Sequence, residues 1–192
     1  MNQPLFLASR SPRRQELLRQ LGLEFEVLDV EVAEVRAPGE APADYVSRVA
    51  REKAGAGLVQ VAAIPGALVI GADTEVILDN EVFGKPADAD AAAAMLARLS
   101  GRSHQVVSAL WLLSAGREEG LRHASTVSFD SLDPARIAAY VATGEPFGKA
   151  GAYAIQGRAA AFIKHLDGSH SSVMGLPLHE TAALLARFGV QA

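Results

Sequence analysis

The chain contains no cysteine, few aromatic residues (6%) and no excess of positive charge. Without cysteine, a disulfide scaffold, a thiolate nucleophile and a Cys-ligated zinc are all excluded. A formal charge of −4 argues against stable, charge-driven nucleic-acid binding, which needs a basic face to neutralise phosphates. A small anion remains admissible, because a few local cations outweigh a weakly negative total. Long hydrophobic runs are also missing. The longest apolar stretch, Ala62 to Ala72, is broken by Pro65 and Gly66 and is too short to span a bilayer. The opening MNQPLFLASR lacks the basic start and the length of a signal segment. A cytoplasmic location without a membrane partner is the expectation. What the chain does have is 192 residues, 49% hydrophobic and 21% charged, enough to bury a core as one globular domain over 1–192.

Periodicity predicts a mixture of strands and helices. Leu5-Phe6-Leu7-Ala8 reads as a buried strand, followed by a helix from Pro12 with Leu17, Leu18 and Leu21 on one face and Gly22 as its stop. Phe25 to Val32 alternates like a second strand, and Ala43 to about Gly57 carries Tyr45, Val46, Val49, Ala50 and Lys53 at helical spacing. Ala67 to Leu78 is the strongest strand candidate, with Asp79-Asn80 as a hairpin turn into Glu81-Val82-Phe83. Helices are expected over Ala87–Leu99, Pro134–Thr143 and Pro177–Phe188. Strands are expected over Gln105–Ser114, Ala124–Ser131 and Ala159–Leu166, with a charged loop at Gly116–Gly120. The combination of hairpins and crossovers implies an α/β fold with a mixed sheet.

Four stretches carry chemistry. In Ser9-Arg10-Ser11-Pro12-Arg13-Arg14, Ser11 suits an N-cap and Pro12 the first helical position, while the arginines oppose the helix dipole. That arrangement suits a docked anion, with free N–H groups, a serine hydroxyl and a guanidinium fork as the cradle. A helix start with solvated arginines is the alternative. In Gly71-Ala72-Asp73-Thr74-Glu75, strand alternation puts Asp73 and Glu75 on one face and Thr74 on the other. Two acids on one face could hold a divalent cation through oxygen ligands, or Asp73 could cap a turn while Glu75 is solvated. Lys53, Lys85 and Lys149 sit in apolar or Gly/Pro contexts that fix a charge in place, as phosphoryl chemistry requires, although each taken alone also reads as a solvated side chain. Neither Gly-Lys element has the spacing of a Walker loop. Gln156, among small residues in Tyr153-Ala154-Ile155-Gln156-Gly157, could read a base edge as donor and acceptor together. The five histidines lack the spacing of a metal set.

These pieces stand in the order seen in the Maf family. Leu7-Ala8-Ser9-Arg10-Ser11-Pro12-Arg13-Arg14-Gln15-Glu16-Leu17-Leu18 resembles its N-terminal motif. Ala50-Arg51-Glu52-Lys53-Ala54, Gly71-Ala72-Asp73-Thr74, Gly84-Lys85-Pro86, Leu99-Ser100-Gly101 and His104-Gln105-Val106 follow in order. Lys149-Ala150-Gly151-Ala152-Tyr153, Ile155-Gln156-Gly157 and Val173-Met174-Gly175-Leu176-Pro177 complete the series.

The resemblance implies a mixed twisted sheet with flanking helices, in two lobes around a cleft, as in inosine triphosphatase-like proteins, and usually a homodimer. It implies a Mg2+- or Mn2+-dependent pyrophosphatase that cuts the α–β phosphate bond of pyrimidine nucleoside triphosphates such as dTTP and UTP. Asp73 matches the family's proton acceptor, and Arg13, Thr74 and Gln156 match positions tied to substrate choice. Ser9, Arg14, Lys53 and Lys85 fit phosphate handling, alongside Ser11 and Arg13 of the same turn, and Glu34 fits a metal ligand with Asp73. Two positions depart from the pattern: Glu75 stands where an apolar residue is usual, and Gly148 where an acid is common. The competing readings are a 7-methyl-GTP pyrophosphatase of the same family and a non-catalytic nucleotide-binding regulator linked to septum formation.

Overall fold

The computed structural model describes residues 3–191. Its seven strands form one open mixed sheet: β1 (Leu5–Leu7), β2 (Glu26–Val27), β3 (Leu68–Leu78), β4 (Glu81–Phe83), β5 (Ser103–Ser114), β6 (Arg117–Phe129) and β7 (Ile163–Asp167). The order is β2-β1-β3-β5-β6-β7, with β4 paired to β3 off that path. β1 runs parallel to both β2 and β3, whereas β4 returns antiparallel on β3 and β7 antiparallel on β6. The helices are α1 (Pro12–Gln20), α2 (Pro42–Gln60), α3 (Ala89–Leu99), α4 (Pro134–Val141), α5 (His170–Met174) and α6 (Leu178–Arg187). The α/β architecture with a mixed sheet is therefore as the sequence pattern implied.

Local chemistry accounts for the element ends. The Ser11 hydroxyl accepts from Arg14 N–H at the start of α1, and Gly22 closes that segment at φ 72°. Asp88 and Asp133 cap α3 and α4 in the same way. The hairpin between β3 and β4 has Asp79 and Asn80 at φ 51° and 65°, the doubly left-handed turn that suits a twisted two-residue loop.

Three segments differ from their periodicity. The strand expected over 25–32 is only Glu26–Val27, and both residues are exposed. Beyond it the Asp29 carbonyl accepts from the Gln60 side chain at 2.7 Å, and Leu28 and Val30 pack on a core cluster. Tertiary packing takes over from a ladder there. The charged stretch expected as a loop is part of β6, which begins at Arg117, with Arg117 and Glu118 exposed and Glu119 half-buried. Over 159–166, a 3-10 turn (Arg158–Phe162) precedes β7, so the strand starts later than expected.

The chain divides into two compact units. The first comprises Met1–Asp73, Ser108–His123 and Gly175–Ala192, and the second Thr74–Val107 and Ala124–Met174. In the first, Phe6, Ala8, Val61, Ala67 and Val69 form one buried cluster, with Leu28, Val30 and Leu58 against it. In the second, a larger core gathers Val76, Phe83, Leu96, Leu99, Phe129, Tyr140, Tyr153 and Phe162. Its rings meet edge to face, Phe129 and Tyr153 with centroids 4.9 Å apart and Tyr140 and Phe162 at 5.0 Å.

Candidate active site

In the first unit the turn into α1 is built around Ser9. Its hydroxyl accepts from the Ser11 N–H at 3.3 Å and from Arg14 Nη1 at 3.2 Å. Arg14 also donates from Nε to the Gly175 carbonyl at 2.9 Å, so this guanidinium is oriented by the protein on two sides. Arg13 is different. It is half-buried, burial pulls its pKa down, and it has no ion-pair or hydrogen-bond partner among the described residues. A cation partly withdrawn from water without a counter-charge is costly unless an anion arrives. No acidic residue stands in the first turn of α1 to serve as that counter-charge. Arg10 points to a plain surface role, pairing with Asp29 at 3.2 Å, both exposed.

The second group centres on Lys53. The buried residues of α2 are Pro42, Tyr45, Val46, Ser47, Val49, Ala50, Lys53, Ala54 and Gly57, so the lysine lies in a mostly apolar stripe. Its Nζ donates to Asp73 Oδ1 at 2.7 Å and to Glu34 Oε1 at 2.6 Å. Lys53 is 9% exposed and Asp73 5%. The closeness of helix and strand depends on Gly71. A Cβ on Gly71 would lie 2.3 Å from the Ala50 carbonyl oxygen and 2.5 Å from Ala54 N. Helix backbone therefore rests directly on strand backbone two residues before Asp73, which is why a lysine one turn along α2 reaches that carboxylate.

Asp73 Oδ2 is buried and has no hydrogen-bond partner among the described residues. Buried polar atoms are seldom left so, and an orphaned oxygen next to a fixed ammonium points to chemistry rather than to stability. No set of three or more His, Asp or Glu side chains among the described residues could hold a metal by itself. The donor set nevertheless suits a hard cation. Magnesium is commonly held by one or two carboxylates, with water and substrate phosphates supplying the rest. Asp73 and Glu34 converge on one point, and Oδ2 is unclaimed.

In the second unit, Thr74 is half-buried and Glu75 buried at 7% exposure, in keeping with the period-two reading of β3. Lys85 is exposed between Gly84 and the buried Pro86, and the Gly84 carbonyl accepts from Gly151 N–H at 3.2 Å. Lys149 is occupied by the loop itself, its ammonium donating to the Glu145 and Phe147 carbonyls. Gln156 is exposed on a short turn. The turn is preceded by two consecutive left-handed residues, Gly151 at φ 67° and Ala152 at φ 60°.

Sequence reasoning missed two side chains that organise this turn, Tyr140 and Glu145. The Tyr140 hydroxyl donates to Glu145 Oε1 at 2.7 Å and accepts from Ala154 N–H at 3.2 Å. The one available signal was an acid between Gly144 and Pro146, shortly before Lys149.

A family model described as "Maf-like protein" matches residues 4–188. A protein of Xanthomonas euvesicatoria pv. vesicatoria (strain 85-10) named dTTP/UTP pyrophosphatase is 60% identical over 187 residues, covering 96% of this chain and 98% of the relative. One of the same name from Xanthomonas campestris pv. campestris is 59% identical with the same coverage. A nucleoside triphosphate pyrophosphatase of Xylella fastidiosa (strain 9a5c) is 56% identical over 185 residues, again covering 96% and 98%.

Proposed function

The chain belongs to the Maf family, and on that premise we propose that it hydrolyses pyrimidine nucleoside triphosphates, dTTP and UTP, to the monophosphate and pyrophosphate. The observation that carries the chemistry is the Asp73 carboxylate, one oxygen fixed by Lys53 and the other buried without a partner among the described residues. Relatives of about 60% identity named for the dTTP/UTP reaction support the substrate class.

In this reading the Ser9–Arg14 turn receives the triphosphate. Ser9 and Ser11 hydroxyls and the N–H groups of the first turn of α1 offer hydrogen bonds, and Arg13 and Arg14 offer charge. Lys53 and Lys85 neutralise phosphate oxygens where negative charge spreads during cleavage. With Oδ1 held by Lys53, Oδ2 is the oxygen of Asp73 that takes the proton from the water attacking the α-phosphorus. A divalent cation, Mg2+ or Mn2+, would be held by Asp73 and Glu34, and when bound it neutralises phosphate charge and makes a bound water more acidic. Arg13, Thr74 and Gln156 select the nucleotide, Gln156 by pairing its amide with the uracil or thymine edge.

Within the same reading, the protein acts as a single domain over 1–192 and as a homodimer in the cytoplasm. It holds no stable complex with nucleic acid, consistent with its formal charge of −4. None of the described helices is long and apolar enough to cross a membrane.

The test is pyrophosphate release from dTTP, UTP, CTP, 7-methyl-GTP and the common purine triphosphates with Mn2+ or Mg2+. Asp73→Asn is expected to lower kcat by roughly 10²- to 10⁴-fold while nucleotide binding is largely kept. Turnover within threefold of wild type would remove Asp73 from its role. Activity confined to 7-methyl-GTP would keep the chemistry and overturn the pyrimidine assignment. Bound nucleotide without pyrophosphate release would favour a regulator over an enzyme.

A further inference from the structure

We propose that Tyr140 and Glu145 are positioning residues for nucleotide selection, together holding the Ala154–Ala159 backbone so that Gln156 presents its amide in one place. This rests on the reading of Gln156 as the residue that contacts the base.

The Gln156 side chain is exposed and makes no hydrogen bond among the described residues, so its position is set by its backbone. That backbone lies in a turn closed by Gly157 N–H to the Ala154 carbonyl at 3.0 Å. On one side of Gln156, the Ala154 N–H is bound by the Tyr140 hydroxyl. On the other, the Arg158 N–H donates to Glu145 Oε2 at 3.0 Å and the Ala159 N–H to Oε1 at 3.4 Å. The Tyr140–Glu145 hydrogen bond joins the two halves. One phenol and one carboxylate thus anchor three backbone N–H groups that flank Gln156.

Glu145 has both oxygens engaged by protein donors, which assigns it to holding the loop rather than to touching substrate. It also packs flat on the turn: a Cβ at Gly157 would lie 2.5 Å from both carboxylate oxygens. Burial pushes the Glu145 carboxyl up, but hydrogen bonds from Arg158 N–H, Tyr140 and Ala159 N–H, with Lys149 nearby, outweigh it and leave the pKa below the usual range. Burial and Glu145 push the Tyr140 phenol up, so it remains a donor. The pair is therefore an anionic acceptor bonded to a neutral donor at neutral pH.

The experiment compares Tyr140→Phe, Glu145→Ala, Glu145→Gln, Gly157→Ala and the Gly157→Ala/Glu145→Ala double variant, with Gln156→Ala as reference. Readouts are kcat and KM for dTTP and for GTP, together with amide hydrogen exchange at Ala154, Arg158 and Ala159. Tyr140→Phe and Glu145→Ala should lower the dTTP-over-GTP ratio of kcat/KM by roughly 10- to 100-fold, chiefly through KM for dTTP, because small displacements of a positioning group cost that much. The three amides should lose protection, and Glu145→Gln should recover part of both effects. Gly157→Ala displaces the carboxylate, so it should reproduce Glu145→Ala and add nothing to it in the double variant. It also keeps the test decisive if Tyr140→Phe does not fold.

Gln156→Ala shifting the ratio while Tyr140→Phe and Glu145→Ala leave it at the wild-type value would overturn the positioning role and spare the base-contact reading. An unchanged ratio in Gln156→Ala itself would sink that reading, and this proposal with it. Full additivity of Gly157→Ala with Glu145→Ala would also count against the role.

Discussion

Lys53 in the first unit and Gln156 in the second are held by opposite means. Lys53 is fixed by its own charge, between two carboxylates at 2.6 and 2.7 Å, deep on the buried face of α2. Gln156 is exposed, and its place depends on neighbours that grip the main chain on either side of it. The first arrangement stores electrostatic strength in low-dielectric surroundings, which suits groups that must meet phosphate charge. The second fixes geometry while leaving a neutral amide free to exchange water for a base edge, which suits discrimination. In the first unit the loss of one side chain leaves a buried charge behind. In the second it leaves an unpaired N–H, at a smaller cost.

That difference predicts that Lys53→Ala is the most damaging single change to the fold among these residues. Removing one partner of a buried ion pair typically costs about 3–5 kcal/mol, because the remaining charge is uncompensated. Here the remaining carboxylate is Asp73, 5% exposed, with its second oxygen already lacking a partner among the described residues. Denaturant unfolding of Lys53→Ala and of Lys53→Ala/Asp73→Asn would measure it. The double variant should recover much of the loss, since a neutral amide is cheaper to bury than a lone carboxylate. A single variant as stable as wild type would mean that water reaches Asp73 and that the pair is effectively at the surface.

The same contrast explains how much could be read in advance. Features with a periodic or terminal signature were legible: the Ser11-Pro12 start of α1, the apolar stripe of α2 containing Lys53, and the Asp79-Asn80 hairpin. Asp73 stood out as an acid in the strongest strand candidate, whereas the contact of helix and strand backbones at Gly71 carried no sequence signature. Glu34 had no such signature. It lies in an irregular segment and is tied to the site through Lys53, so family resemblance alone brought it forward. Glu145 and Tyr140 were not anticipated, because a side chain that bonds backbone N–H groups thirteen or fourteen residues away in a loop obeys no period. The strand expected over 25–32 failed for a related reason: a distant side chain, Gln60, claims the Asp29 carbonyl. Local patterns predict elements well, and they say little about who satisfies an irregular backbone.

A second prediction concerns the aromatic core beneath the Gln156 turn. His104 is 2% exposed, its Nε2 hydrogen-bonds the Tyr153 hydroxyl at 2.8 Å, and its buried Nδ1 has no partner among the described residues. Burial pushes its pKa down to about 4. The folded protein therefore prefers neutral imidazole, while the unfolded chain takes up a proton near pH 6.5. The stability this contributes is fully present above pH 6.5 and is lost as the pH falls from there to about 4, reaching about 3 kcal/mol. His104→Phe abolishes the titration, so its stability should fall less over that window, even though its absolute stability is reduced by the unpaired Tyr153 hydroxyl. Equal slopes for the two proteins would show that the imidazole is hydrated in the fold.

The smallest of the three effects separates space from charge in the first unit. Gly71→Ala should cost about 1–3 kcal/mol, the usual range for forcing an extra carbon into a packed interior. Its new methyl would meet the Ala50 carbonyl oxygen at 2.3 Å and Ala54 N at 2.5 Å, which are backbone atoms of α2 and can yield only if the helix moves. Since Lys53 lies on that stretch of helix, movement would lengthen its reach to Asp73 and lower activity as well as stability. Adding Ala54→Gly removes the Ala54 methyl, 2.7 Å from the new carbon, but neither backbone atom. The double variant should therefore recover little in thermal unfolding and little in turnover. Full recovery would place the conflict at the Ala54 side chain, leaving the ion pair, rather than the backbone contact, as what brings α2 and β3 together at Asp73.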